Sequence, residues 1–305
     1  MKRVVSILAL SATLALANVY NFDFKKVTDG VECVIGDFNP PTKANRGFVN
    51  NACFVDVGDG LVVIDPGPSF EFAKEFAQAA TKKSGKKVKA AIVTNYHDDR
   101  LYGASYYASK KIPVIAHKNI VDDIKNNPQK FERLKKILSK EEFANTKLVT
   151  PDTLFEKEYD INGTKRVVKA LKLSPVSEEK SDIVVWVPKS GFLFAGNIVF
   201  NNRALNYTTH SNMKGWIGAI DKIKALKPKV VLGGHGSIMG PDAYKTTLEY
   251  LQSLQSQVKK AYDSDVDLAD LSKHIDMTKF KDLKHVEELN KHNASHYYNQ
   301  LEWAE

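Results

Sequence analysis

Two short segments of the sequence contain side chains that can bind a metal ion or transfer a proton. The first is residues 94–100, TNYHDDR in one-letter code, which includes His97, Asp99 and Arg100. The second is His235, which stands between glycines. Imidazoles and carboxylates are metal ligands and general bases, whereas a guanidinium is a permanent cation that binds anions. If the chain is an enzyme, Asp99 and His235 are its catalytic candidates.

The elements that must position these residues alternate between strand and helix patterns. Apolar and β-branched runs predict short strands at residues 31–35, 52–57, 61–64, 89–94, 114–116, 167–173, 183–187, 192–195 and 230–232. Helical spacing predicts helices after Ser69, around residues 102–109 and over residues 216–226, and residues 120–142 form a charged helical insertion. This alternation predicts an α/β fold with sheet layers and helices outside them.

The order of these signals resembles the metallo-β-lactamase superfamily, whose strand-to-helix loop carries the pattern H-x-H-x-D-H. Residues 94–100 match that loop, and VIDPG at 63–67 resembles the early strand that ends in Asp-x-Gly. SDIVV at 181–185 and LFAGN at 193–197 resemble the segment that delivers a third histidine and a bridging aspartate. VLGGHG at 231–236 resembles the closing Gly-His-Gly. The resemblance implies an αββα sandwich with a metal site at one edge.

Compared with the family pattern, the predicted site is degenerate. The family residue is kept at three of seven positions, which are His97, Asp99 and His235. At the other four the sequence has Asn95, Arg100, Glu178 and Asn197. An amide replaces the carboxylate that bridges two metals, and a cation stands where the second metal belongs, so a dinuclear zinc site is not expected. Asp65 either lines the site and supports a ligand or is a strand-end aspartate that caps the next turn.

Three functions remain open from the sequence. The first is a hydrolase that uses one divalent metal (Zn, Mn or Fe) on an ester, thioester or related small substrate, with the candidate ligands His97, Asp99, Glu178 and His235. The second is a metal-free, non-catalytic relic of the fold that serves a periplasmic partner as a binding or accessory protein. In that case Arg100 is predicted to pair with Asp99 or Glu178. The third is a metal-free enzyme with Asp99 or His235 as general base and Arg100 as anion site.

The N-terminus predicts export. A basic start at residues 2–3, an apolar run at 4–14 and the small residues of ALA at 15–17 are typical of a secretory signal peptide. We therefore predict a signal peptide at 1–17, a metallo-β-lactamase-like domain at 18–240, a helical C-terminal extension at 241–305 and a periplasmic location. The tail resembles the periplasmic branch that is associated with sulfur-oxidation and quinoprotein gene systems. No later segment predicts a membrane span.

The charge distribution bears on the kind of binding partner, and the two cysteines bear on a possible disulfide. The formal net charge is +8, and removal of Lys2 and Arg3 lowers it to +6. The lysines are dispersed and not interleaved with aromatic residues, so no nucleic-acid partner is expected. Cys33 and Cys53 lie in neighbouring predicted strands and could form a disulfide or remain buried thiols, because strand register is undetermined. We expect surface or loop roles for His117 and His210, and solvent-facing positions in the helical tail for His285, His292 and His296.

Overall fold

The first sheet collects the strands of the N-terminal half. A computed structural model describes residues 19–303, so the predicted signal peptide lies outside the described residues. Seven strands follow one another across the sheet in chain order: β1 (Lys25–Thr28), β2 (Val31–Val34), β3 (Ala52–Asp56), β4 (Leu61–Ile64), β5 (Val88–Ile92), β6 (Val114–His117) and β7 (Thr153–Phe155). Strands β4 to β7 pair in parallel, so the loops after them emerge at one edge.

The second sheet has six strands: β8 (Glu158–Asn162), β9 (Val167–Leu171), β10 (Val184–Val187), β11 (Phe192–Phe194), β12 (Val230–Leu232) and β13 (Met239–Gly240). Their order is β13-β12-β11-β10-β9-β8. Strands β11 and β12 pair in parallel, and the other neighbours are antiparallel. The segments after β11 and β12 therefore also emerge together at one edge.

Eight α-helices accompany the sheets over residues 19–303: α1 (Phe70–Ser84), α2 (Ala104–Ser109), α3 (Ile120–Asn126), α4 (Gln129–Ile137), α5 (Lys140–Phe143), α6 (Met213–Ala225), α7 (Lys245–Tyr262) and α8 (Val286–Glu302). Helix α1 begins where the Ser69 hydroxyl accepts a 3.2 Å hydrogen bond from Phe72 N. It ends at Gly85, whose φ of 72° is the left-handed conformation that glycine adopts without a Cβ penalty. The predicted insertion at 120–142 is thus three short helices.

Strand alternation distributes the core over three interfaces. In β4, Val62 and Ile64 face the second sheet, whereas Leu61 and Val63 pack under the helices that include α1. Because β4 is buried on both faces, it is a continuous apolar run. The third interface lies between the second sheet and α6, α7 and α8. The layers are helix, sheet, sheet and helix, which confirms the predicted αββα sandwich.

The helical tail contributes to the outer layer on the second sheet. Tyr250 and Leu254 of α7 and Tyr297 of α8 are buried in the same cluster as Trp216 of α6. The extension predicted at 241–305 therefore shares a core with the preceding residues. No helix within the described part of the chain is long and apolar enough to cross a membrane.

The pairing of β2 with β3 decides the state of the cysteines. Cys33 and Cys53 are direct partners in this antiparallel ladder, and they are joined in a disulfide. Both are fully buried between the two sheets. Of the two alternatives that the sequence leaves open, the structure has the disulfide.

Candidate functional site

Parallel pairing of β4 with β5 brings Asp65 next to the loop at residues 94–100. Asp65 has a left-handed backbone, with φ 58°, and its Oδ1 accepts a 2.8 Å hydrogen bond from Thr94 N. Its Oδ2 accepts from Thr94 Oγ1 at 2.9 Å and from Asn50 Nδ2 at 3.0 Å. Burial raises the pKa of Asp65 to about 6, against the lowering effect of Arg100. Asp65 therefore fixes the start of the loop at residues 94–100.

Arg100 points into the molecule and is fully buried. Its Nε donates to Asp99 Oδ1 at 3.1 Å, and its Nη1 donates to Thr94 Oγ1 at 3.0 Å. Its Nη2 donates to Asn197 Oδ1 at 2.5 Å and lies 3.3 Å from His235 Nε2. The pairing with Asp99 is the one that the sequence predicts. One guanidinium thus joins the loop at residues 94–100 in the first half to Asn197 and His235 in the second half.

Asp99 and His235 both face this guanidinium. Burial raises the pKa of Asp99, but Arg100, His235 and His97 together lower it by more and hold that pKa well below the usual range. The Nδ1 of His235 lies 2.9 Å from the carbonyl oxygen of Val49, and burial lowers the pKa of His235 to about 3. His235 is therefore neutral, and we assign the proton to Nδ1, which leaves the Nε2 lone pair facing Arg100.

Asn197 connects Arg100 to the remaining candidate ligands. Its Oδ1 accepts from Arg100, while its Nδ2 donates to Glu178 Oε2 at 2.6 Å and lies 3.2 Å from His97 Nδ1. A carboxylate at this position would have no N–H to donate. The amide is therefore suited to a site that contains a guanidinium and a neighbouring carboxyl group.

Burial changes the charge of the glutamate that aligns with the third histidine. Glu178 is almost fully buried, and burial together with Asp182 raises its pKa well above the usual range. Asn95, at the first histidine position, donates to Asp182 Oδ1 at 2.9 Å and accepts from His97 N at 3.0 Å. Asn95 therefore supports the loop and does not face the same atoms as Arg100.

Sequence reasoning missed Glu179. Its Oε1 lies 3.2 Å from His97 Nε2 and 3.2 Å from the hydroxyl of Tyr96. Burial raises its pKa to about 8, against the lowering effect of Lys130. The adjacent acidic pair at residues 178–179, three to four positions before Asp182, was the available signal. Only packing shows which glutamate contacts which neighbour.

The site residues line a cleft of about 410 Å³ or lie directly beneath it. The side chains around it come from both halves of the fold. They are Pro40, Pro41, Val49, Tyr96, His97, Asp98, Asp99, Asn127, Lys130, Arg133, Glu178, Glu179, Asn197, Phe200, Arg203, Asn206, Thr208, His210, His235 and Leu289. The four candidate metal ligands and Asn197 are all among them, whereas Arg100, Asn95 and Asp65 lie beneath the surface of the cleft.

The donor set does not fit the metal that the superfamily implies. Among residues 19–303, no three His, Cys, Asp or Glu side chains form a group that could hold a metal ion. Arg100 already donates to Asp99 and lies against His235, and two like charges repel at such distances. Metal binding by His97, Asp99, Glu178 and His235 remains a prediction that requires Arg100 to move.

The other histidines differ in position. The surface or loop role expected for His117 is wrong, because His117 ends β6 and is buried, with Nε2 3.0 Å from the Glu156 carbonyl oxygen. It does not line the cleft. His210 is exposed and lines the cleft. His292 and His296 lie on α8 with their Nε2 atoms 2.9 Å apart, and His285 precedes that helix.

Comparison with known proteins identifies the family. Residues 45–235 match the sequence profile of the Metallo-beta-lactamase superfamily. The match covers more than half of the chain and contains Asp65, the loop at 94–100, Asn197 and His235. The chain therefore belongs to the metallo-β-lactamase superfamily.

Individual relatives are distant. The chain is 26% identical over 220 residues to a metallo-beta-lactamase type 2 of Elizabethkingia meningoseptica, covering 70% of this chain and 79% of that protein. It is 19% identical to a linear primary-alkylsulfatase of Pseudomonas sp., covering 60% of this chain and 40% of the relative's length. The solved structure of a metallo-beta-lactamase from Pontibacter korlensis superposes with a TM-score of 0.62 at 22% identity, covering 76% of this chain and 99% of that one. The structural likeness supports the fold and leaves the activity open.

Proposed function

We propose that this chain is an exported, metal-independent member of the superfamily that works in the periplasm as a binding or accessory protein. The observation that carries the proposal is the Arg100 guanidinium, which lies between Asp99, Asn197 and His235. These positions align with metal-ligand positions of the family. A cation within this donor set engages Asp99 Oδ1 and lies 3.3 Å from His235 Nε2, which opposes the binding of a metal ion at these two groups.

Export is part of the same proposal. The signal-peptide pattern at residues 1–17 supports it, and so does the buried disulfide between Cys33 and Cys53, because such bridges persist in oxidising compartments. The partner is a small molecule in the cleft or a periplasmic protein. The resemblance of the tail to the sulfur-oxidation and quinoprotein branch favours a role beside such an export-linked system.

A mononuclear metal hydrolase is the second candidate function. It is favoured by the four candidate ligands that line one cleft and by relatives named as lactamase and alkylsulfatase. The substrate would be an ester, a thioester or a related small molecule, and a metal held by His97, Asp99, Glu178 and His235 would supply Lewis-acid chemistry. This candidate requires Arg100 to leave its buried position. β-Lactam hydrolysis fits least, since four of the seven family ligand positions are changed.

The deciding experiment is the metal content of the mature chain, measured by elemental analysis after purification without chelators and again after incubation with Zn²⁺, Mn²⁺ or Fe²⁺. We expect less than 0.1 equivalent in both cases. The matched control carries Asn95→His, Arg100→His, Glu178→His and Asn197→Asp, which restores the family ligands and is expected to bind zinc.

A different metal content would contradict the proposal. About one equivalent of metal in the wild type, lost in an Asp99→Ala, His235→Ala double variant, would overturn the proposal. It would establish a remodelled mononuclear site and justify a screen for esterase and thioesterase activity.

A further inference from the structure

Two cationic side chains line the cleft without an anionic partner. Lys130 on α4 and Arg203 have no carboxylate oxygen within 4.0 Å among residues 19–303. The Nε of Arg203 is buried, and within the same part of the chain it has no hydrogen-bond partner. Lys130 Nζ lies 4.0 Å from the centre of the Tyr96 ring, a cation–π contact that does not neutralise its charge.

The carboxyl groups nearby make no ion pair with Lys130 or Arg203, although Glu179 acts on the charge of Lys130 at longer range. Asp98 accepts two hydrogen bonds from Arg133, at 2.9 Å and 2.7 Å, and Asp99 pairs with Arg100. The two glutamates of the cleft are hydrogen-bonded as described above. Burial lowers the pKa of Arg203, although Asp99 and other carboxylates act in the opposite direction. A buried Nε–H of Arg203 without a hydrogen-bond partner is costly, and an anion in the cleft would offset that cost.

One part of the cleft wall is apolar, while most of the other side chains around the cleft are polar or charged. Pro40, Pro41, Val49, Phe200 and Leu289 form the apolar part. A volume of about 410 Å³ lies within the range of small-molecule sites, which are mostly apolar with a few polar groups that orient the ligand. The two cations and the apolar wall together favour a ligand with an anionic group on a compact apolar body.

We propose that the cleft binds a small organic oxyanion, with its anionic group on Lys130 and Arg203 and its apolar body against the wall at Pro40, Phe200 and Leu289. A guanidinium donates paired N–H groups to carboxylate, sulfonate or sulfate oxygens, and an ammonium adds a point charge. This inference rests on the proposed function, because it names the ligand class of the same cleft.

Isothermal titration calorimetry on the mature chain at low ionic strength tests the inference, with hexanoate, hexanesulfonate and 1-hexanol as probes. We expect at least one of the two anions to bind at least tenfold more tightly than the alcohol. Lys130→Met and Arg203→Met are each expected to weaken binding of that anion at least tenfold, whereas Arg203→Lys weakens it less. Lys136→Met, at an exposed position on the same helix as Lys130, is the matched control and is expected to change nothing.

Three results would overturn the inference: no binding of either anion, equal binding of the anions and hexanol, or binding that survives both methionine substitutions. Thermal melts followed by circular dichroism verify that each variant is folded. If Arg203→Met does not fold, Lys130→Met and Arg203→Lys still decide the outcome. The proposed function fails on a different result, stoichiometric metal in the wild type, so the two can be overturned separately.

Discussion

At the scale of single residues, the Arg100 guanidinium joins Asp99, Asn197 and His235, and in the proposed function it takes the place of a metal ion. A metal ion and a guanidinium can both hold a carboxylate, an imidazole and an amide around one positive charge. The guanidinium differs because it has fixed N–H directions and no vacant coordination position, so it cannot generate hydroxide from water. Asn197 fits this arrangement because its amide accepts from Arg100 and donates to Glu178.

Removing the guanidinium should therefore destabilise the fold. We expect Arg100→Met to lower the free energy of unfolding by about 3–5 kcal/mol, since it leaves the buried charge of Asp99 unpaired. Arg100→Lys should restore only part of the loss, because an ammonium cannot reproduce the forked contacts. Urea denaturation at pH 7 measures both variants.

The control for this prediction is an exposed ion pair. Lys118 lies 2.6 Å from Glu156 with both side chains more than half exposed, so Lys118→Met should cost less than about 1 kcal/mol. A loss for Arg100→Met as small as that of this control would contradict the organising role of Arg100.

At the scale of elements, His117 connects β6 to the segments around it. Its Nε2 faces the carbonyl oxygen of Glu156, after β7, and its Nδ1 accepts a 3.2 Å hydrogen bond from Asn119 N, before α3. Burial, with a contribution from Lys172, lowers the pKa of His117 to about 4. Protonation of Nδ1 would place a proton against the Asn119 N–H, so this junction requires the neutral ring.

The sign of the pH effect follows from that shift. The unfolded chain binds a proton at His117 near pH 6.5 and the folded chain only near pH 4, so the free energy of unfolding falls as pH decreases through this window. The loss should reach at most about 3 kcal/mol below pH 4. Urea titrations at pH 7 and pH 4.5 should show a smaller pH effect in His117→Gln than in the wild type. The same pH effect in both proteins would refute the prediction.

Sequence periodicity predicted the strands inside the two sheets but not the strands at the sheet edges. Strands β4, β5 and β10 are apolar runs, and their predicted bounds lie within two residues of those observed. Four strands were not predicted, and all of them lie at sheet edges: β1, β7, β8 and β13. Strands β1 and β8 are mostly charged or polar, and β7 and β13 have only three and two residues. An edge strand buries little side-chain area, so its sequence carries a weak alternating pattern.

At the scale of the whole molecule, the helical tail completes the second half of the sandwich. Helices α7 and α8 contact each other and cover the second sheet together with α6. Without them, the apolar side chains of α6 that face this cluster would be open to solvent. The residues predicted as an extension are thus part of the hydrophobic core.

This packing predicts a large effect of a substitution in the tail. Leu254 of α7 is fully buried, so Leu254→Ala should lower the free energy of unfolding by about 2–5 kcal/mol through lost burial and a cavity. The matched control is Leu268→Ala, because Leu268 is 39% exposed, and its cost should stay below about 1 kcal/mol. Equal effects of the two substitutions in chemical denaturation would mean that the tail packs only loosely.

The sequence by itself determined the fold family and most positions of the candidate site. The order of the motifs along the chain identified Asp65, the loop at 94–100, Asn197 and His235. This was possible because each of these positions lies in a short stretch of adjacent residues that follows a strand. It also predicted that Arg100 would pair with an acidic neighbour.

Only the tertiary structure decided how these residues meet. Arg100 contacts Asn197 and His235 across 97 and 135 positions of sequence, and Glu179, not Glu178, contacts His97. The disulfide and the unpaired cations of the cleft likewise depend on strand register and on the approach of distant segments. The local sequence pattern determines which face of each strand or helix is apolar. The partners of each side chain depend on how the two sheets pack, and this packing cannot be predicted from a short stretch of sequence.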